Sequence, residues 1–313
     1  MREKAESWSR CVKNTGVKNT GVKNAGVKAA ALMGMILRLG GGLSAIDWPV
    51  TDAAIYANFG ENDQGRPFLG AAFESEGPIY ACETGDVLFT HDPARRSSRL
   101  PSPLGAWVAL DHGDGIISIY SRFDDAQNVS ISGVVEKGQY LASAGQTGWS
   151  ERQGFSFSFF DRKERRWVNP SMLITPQEDT AAPVIASVEL KDSGGKAINP
   201  LQVRSISQGR YVVSVTAWDT LRTEQEQLLA PYRIRSSING LEAGELKFDT
   251  FSARDGILMV YCNGLVPVQR IYGAYPAYET GEVWLTRGQA TLEILVQDIS
   301  GNSKSATYKL QIE

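Results

Sequence analysis

Two histidines, His91 and His112, and three cysteines, Cys11, Cys82 and Cys262, occur in 313 residues. With the carboxylates, these are the side chains able to ligate a transition metal or to serve as nucleophile and base near neutral pH. Their spacing offers little. No Cys-x-x-Cys, no Gly-x-Ser-x-Gly elbow and no phosphate-binding loop is present. Asp111 directly precedes His112, which invites a carboxylate–imidazole relay, but neighbours along a strand point to opposite faces. A turn-shaping role suits that pair better. Cys82 and Cys262 lie in apolar, strand-like contexts where a buried thiol is the ordinary outcome. An interdomain disulfide is the alternative, which an exported chain would permit.

Other candidates would bind rather than react. Tyr272, Tyr275 and Tyr278 stand in a Gly/Pro-containing stretch and could stack on sugar rings or pack on their own sheet. The run Arg162-Lys163-Glu164-Arg165-Arg166 reads as a solvated hairpin tip before a docking patch. Asp298 could ligate calcium, although a carboxylate shaping the turn Asp298-Ile299-Ser300-Gly301-Asn302 is the commoner arrangement.

The elements that must position these residues are strands. From Ile46 to about Pro176, short apolar runs alternate with Gly-centred turns, as in residues 78–81, 105–110, 115–120 and 155–160, and no helical period is sustained. In Phe155-Ser156-Phe157-Ser158-Phe159-Phe160 the alternation predicts Phe155, Phe157 and Phe159 on a core face and the serines opposite. The polar, proline-flanked segment Thr175–Pro183 breaks the pattern and marks a boundary. Beyond it, longer alternating runs at 210–219, 290–298 and 306–312, with turn signals at Asn239-Gly240, Asp255-Gly256 and Gly301-Asn302, predict an antiparallel sandwich. Residues 220–229 read as a short helix or long loop. The expected organisation is a leader over 1–45, a first domain over 46–178 and an immunoglobulin-like β-sandwich over 179–313.

Charge supports that division. Residues 1–45 carry eight Lys/Arg against two Asp/Glu, a net +6, and the remainder carries 24 against 33, a net −9. An acidic body argues against nucleic acid, which needs a basic face to displace phosphate counterions. The basic stretch before the apolar run Ala29–Leu37, with the small residues of 40–45 after it, reads as an export signal, the alternative being a disordered cytoplasmic tail. The apolar run is too short for a permanent membrane span. The expected location is the periplasm or cell envelope.

A series of landmarks then carries a resemblance. They are Glu76-Gly77-Pro78-Ile79-Tyr80-Ala81 followed by Gly85-Asp86-Val87; the hairpin Trp107-Val108-Ala109-Leu110-Asp111-His112-Gly113 through Tyr120-Ser121-Arg122-Phe123; Val135-Glu136-Lys137-Gly138-Gln139; Ala144-Gly145-Gln146-Thr147-Gly148; and Val168-Asn169-Pro170. In this order, residues 55–175 resemble the lysostaphin/LytM-type zinc endopeptidases that cut peptidoglycan cross-links. The resemblance implies a mostly β, antiparallel sheet or open barrel, and a zinc site built from an early "H-x-G-x-D", the second His of "H-x-H", and assisting histidines including that of "Y-x-H-L".

Those ligands are missing here. The early motif falls on Arg66–Phe73, the "Y-x-H-L" histidine falls on Arg122, and "H-L-H-F" reads Gly154-Phe155-Ser156-Phe157. Four histidines are wanted and the chain has two; His112 matches a structural position of the hairpin. The expectation is a non-catalytic relative with no metal and no cofactor. Its groove would be lined by Arg122, Ser156, Phe68 and His112. A guanidinium there could grip a carboxylate bidentately or form a surface ion pair with Asp124 or Asp125. The resemblance implies as partner either an amidase-like cell-wall hydrolase, positioned or activated, or peptidoglycan itself. A groove plugged by Phe68 or a loop would point to the former, an open one to the latter.

Overall fold

The computed structural model describes residues 46–313 apart from 52, 64, 94–101, 125–130, 151, 222–226 and 275. The leader, Asp125, Tyr275 and half of the 220–229 segment therefore lie outside the described residues. Every strand pair among the described residues is antiparallel. Helix is confined there to two single 3₁₀ turns, Pro170–Met172 and Val268–Arg270, and no helix is long and apolar enough to cross a membrane.

Alternating burial explains the strands. Phe155–Asp161 reads buried and half-buried in strict turn, with Phe155, Phe157 and Phe159 inside as the alternation predicts. Its neighbours are Ala71–Glu74 and Ile116–Phe123. From there the sheet continues through Ala106–Asp111 and Gly85–His91 to Val134–Val135. In the other direction Phe155–Asp161 pairs with Arg166–Val168, which pairs with Leu241–Arg254. That strand leads on through Arg233–Ile238 and Gly288–Gln297 to Ser303–Ile312. The described strands do not close into a barrel.

Leu241–Arg254 is fourteen residues long because a two-residue turn suits each of its ends. Asn239-Gly240 and Asp255-Gly256 both adopt positive φ at both positions (51° and 77° in each pair), the geometry that matches the twist of a hairpin. A separate four-stranded sheet, ordered Ala197–Ile198, Val184–Lys191, Gly209–Trp218 and Ala277–Leu285, contributes Leu190, Val213, Val215 and Tyr278 to a core shared with Ile234, Leu246, Phe248, Leu292 and Val296.

The first half reaches into the same core. Phe59 packs on Phe251, ring centroids 5.0 Å apart. Asn58 exchanges two hydrogen bonds with Ala230, side-chain amide to carbonyl and backbone N–H to side-chain oxygen, each 2.8 Å. Residues 45–313 thus form one compact unit.

Candidate functional site

Strand register decides which side chains share the face opposite the phenylalanines. Ser156 pairs with Ala72 on one side and Ser121 on the other; Ser121 pairs with Trp107, and Trp107 with His91. Directly paired residues project to the same face. Ala72 and Ser121 are buried and Ser156 half-buried, so this part of the row exposes little surface to water. Behind it, Phe73 stacks on Phe155 at 4.9 Å and Phe157 meets Tyr120 and Phe159.

Arg122 sits beside this row in a bulge. Ala106 pairs with Phe123 and Trp107 with Ser121, which leaves Arg122 as the extra residue, with φ at 71°. A bulged left-handed residue re-aims its side chain, and only 5% of Arg122 is exposed. Its guanidinium donates to the Tyr56 hydroxyl and to the Arg152 carbonyl, while the Arg152 guanidinium lies 5.0 Å from the Tyr56 ring centroid. In place of the expected groove-facing guanidinium or surface ion pair, the bulge directs the Arg122 guanidinium at Tyr56 and a backbone oxygen.

The zinc that the resemblance implies does not fit these residues. A methyl group, two hydroxyls and a donor-only guanidinium supply no thiolate, imidazole or carboxylate. At Gly154, where the sequence pattern places one histidine, φ is 150° and a Cβ would stand 2.0 Å from the Phe73 carbonyl oxygen. The strand from Ala71 to Glu74 lies against that position and leaves no room for a side chain there.

The remaining candidates lie apart. His112 is at the hairpin tip, at the opposite end of Ile116–Phe123 from Arg122. Its Nδ1 is 2.8 Å from the Thr84 carbonyl oxygen and its Nε2 is 2.6 Å from the Ser118 hydroxyl. Burial holds its pKa below the usual histidine range. Phe68 is half-buried, with its backbone bonded to Gly60 and Glu61. The structure thus brings Ser156 and Arg122 together and leaves His112 and Phe68 elsewhere.

Cys82 and Cys262 are buried free thiols rather than a disulfide; desolvation pushes Cys82 up to about 12 and Cys262 up to about 11. Tyr272 and Tyr278 pack on Phe248, and the Tyr272 hydroxyl donates to the Gly60 carbonyl, so neither ring is presented to a sugar. Arg162 and Lys163 pair with Asp111 and Asp114 at the exposed hairpin tip. Sequence reasoning missed Tyr56 and Arg152, which no local spacing ties to Arg122.

One group of at least three potential metal-ligating side chains occurs among the described residues: Asp179, Asp219 and Asp298. It holds no histidine and lies outside the strands around Arg122.

Residues 69–170 match peptidase family M23. This match covers about a third of the chain, and a second family model matches residues 182–313. No curated protein matches. Among solved structures, a zinc-containing peptidase from Vibrio cholerae is similar at 23% identity over 38% of this chain and 37% of that one, TM-score 0.32. A putative M23 peptidase from Pseudomonas aeruginosa is 23% identical over 50% and 63%, TM-score 0.31. The antimicrobial peptidase lysostaphin from Staphylococcus simulans is 17% identical over 69% and 85%, TM-score 0.32. The chain spans little more than a third of the length of the Vibrio cholerae peptidase. In the segment that matches this family, Gly154, Ser156 and Arg122 stand where the sequence pattern places histidines.

Proposed function

We propose that the chain is a non-catalytic M23-like protein of the cell envelope that acts as an interaction or regulatory module for cell-wall hydrolysis. In this reading residues 1–45 direct export, 46–178 form the peptidase-like domain and 179–313 an immunoglobulin-like sandwich. The observation that carries it is the row Ala72, Ser156 and Ser121, with Arg122 turned inward beside it. A zinc peptidase needs a metal held by protein ligands with one position open, so that a bound water ionises near neutral pH. This row holds no such ligand. What an M23-like surface retains without its metal is recognition, and the partner proposed is an amidase-like hydrolase of the wall.

A second reading, direct binding of peptidoglycan or another envelope polymer, draws on a different observation. Phe89 is 49% exposed and tilts on Trp107 at 4.9 Å, with Leu88 exposed beside it. Trp107 belongs to the same row as Ser156. Exposed aromatic rings offer an apolar face to a sugar.

The test is zinc content and muropeptide release by the purified chain, followed by sedimentation with insoluble peptidoglycan sacculi. No stoichiometric zinc and no cleavage are expected. Zinc with cleavage would overturn both readings. Retention on sacculi that is lost in Phe89→Ala would replace the regulatory reading with the polymer-binding one.

A further inference from the structure

Asp179 lies in the segment between the two halves, Asp219 directly follows the strand Gly209–Trp218, and Asp298 directly follows Gly288–Gln297. Each offers one carboxylate oxygen, and the three atoms lie within 4.8 Å of one another. Oxygens bound to one calcium ion, each about 2.4 Å away, cannot be more than about 4.8 Å apart. Two of the three side chains are deeply buried: Asp219 is 5% exposed and Asp298 1%.

The hydrogen bonds show how the carboxylates are divided. Asp298 Oδ1 accepts from the N–H groups of Gly301 and Asn302 at 2.6 and 2.8 Å, so the expected turn-shaping role is present. Asp179 Oδ1 accepts from Ala181 N–H at 2.9 Å, and Asn302 Nδ2 donates to the Asp179 carbonyl at 3.2 Å. Asp219 is fixed by reciprocal backbone bonds with Leu229 at 2.8 and 2.9 Å. That leaves Asp179 Oδ2, Asp219 Oδ1 and Asp298 Oδ2 buried with no hydrogen-bond partner. Among the described residues, no Lys or Arg forms an ion pair with any of the three.

Three carboxylates held this close repel strongly, and an unsatisfied buried oxygen is costly. A shared proton bridges one pair and leaves the third oxygen without a partner. A single cation serves all three. The donor set is oxygen only, which suits a hard ion and disfavours zinc. We propose that Asp179, Asp219 and Asp298 bind one divalent cation of the calcium class. The ion ties the segment joining the halves to two strand ends, and water or nearby carbonyls complete its coordination. The turn bonds at Gly301, Asn302 and Ala181 hold the outer oxygens so that the inner ones converge.

The test uses the full chain, stripped with a chelator and titrated calorimetrically with calcium, with magnesium in a parallel arm. One calcium per chain is expected, with a rise in Tm of about 5–10 °C at a hundredfold excess over Kd. Asp219→Asn should abolish both effects. Should that variant fold poorly, terbium luminescence on the unaltered chain, displaced by calcium, reports the same site. No binding and an unmoved Tm would overturn the proposal, as would calcium binding that survives in Asp219→Asn. A response to magnesium with none to calcium would overturn the calcium assignment. Stabilisation of the metal-free chain by Asp219→Asn without any calcium binding would show that the three groups share a proton instead.

Discussion

Arg122 donates to the hydroxyl of Tyr56 across 66 residues of sequence, and the same guanidinium donates to the Arg152 carbonyl. A cation beside the row of Ala72, Ser156 and Ser121 is part of the framework. Arg122→Ala removes the donor to the part-buried Tyr56 hydroxyl and Arg152 carbonyl, which should cost about 1–2 kcal/mol. Arg122→Gly loses the same bonds but accepts the φ of 71° without strain, so it should be the more stable of the two by about 1 kcal/mol. Urea denaturation of both variants checks this; an alanine variant as stable as the parent would remove Arg122 from the framework.

Zinc should not return with a single ligand. Ser156→His places an imidazole in the row, yet Ala72 and Ser121 beside it ligate nothing and Gly154 has no room for a side chain. Metal analysis of that variant is expected to show no stoichiometric zinc. Gly154→Ala tests the closure directly. With its Cβ 2.0 Å from the Phe73 carbonyl oxygen, it should lose at least about 3 kcal/mol, read as a lowered Tm. An alanine variant that melts with the parent would mean the strand can give way there.

Period and turn chemistry made much of the fold legible. The Phe155–Phe159 alternation placed three rings in the core, and Asn239-Gly240 and Asp255-Gly256 both proved to be two-residue hairpin turns. The absent histidines were equally plain. Where the chain turns locally, local residues announce it. What stayed hidden depends on contacts distant in sequence. Nothing near Arg122 announces Tyr56 or the bulge that turns the side chain inward. Asp179, Asp219 and Asp298 are forty or more residues apart and share no spacing motif; Asp219 and Asp298 follow strands of two different sheets, so only the tertiary packing assembles the three. The pairing of Arg166–Val168 with Leu241–Arg254 was hidden for the same reason, since about 80 residues separate the two segments and neither carries a local signal of the other.

His112 gives the chain a pH response of definite sign. Its neutral ring spans the Thr84 carbonyl and the Ser118 hydroxyl, and burial lowers its pKa below 6.5 despite the opposing pull of Glu83 and Asp111. A depressed histidine pKa means that the folded state holds fewer protons than the unfolded one. Its contribution is therefore present above the unfolded value and lost as pH falls through the folded one. Tm should fall on acidification below about pH 6.5, and His112→Gln should flatten that part of the profile. A profile of unchanged slope in His112→Gln would assign the response to other groups.

The two halves should unfold together. The sheet runs unbroken from Phe155–Asp161 through Arg166–Val168 into Leu241–Arg254, and Asn169 Nδ2 donates to the Phe248 carbonyl at 3.0 Å while Asn58 locks onto Ala230. Phe59 from the first half completes the core of the second. Separating them would expose an interior strand edge and that ring at once, which a cooperative structure avoids by melting as a unit. Thermal unfolding followed by tryptophan fluorescence and by far-ultraviolet circular dichroism should give coincident single transitions. Asn58→Ala should lower both midpoints equally, because two part-buried bonds across the junction are lost. Two resolved transitions, with only one of them moved by Asn58→Ala, would mean that each half has a core sufficient for itself and that the shared strand pairing contributes little.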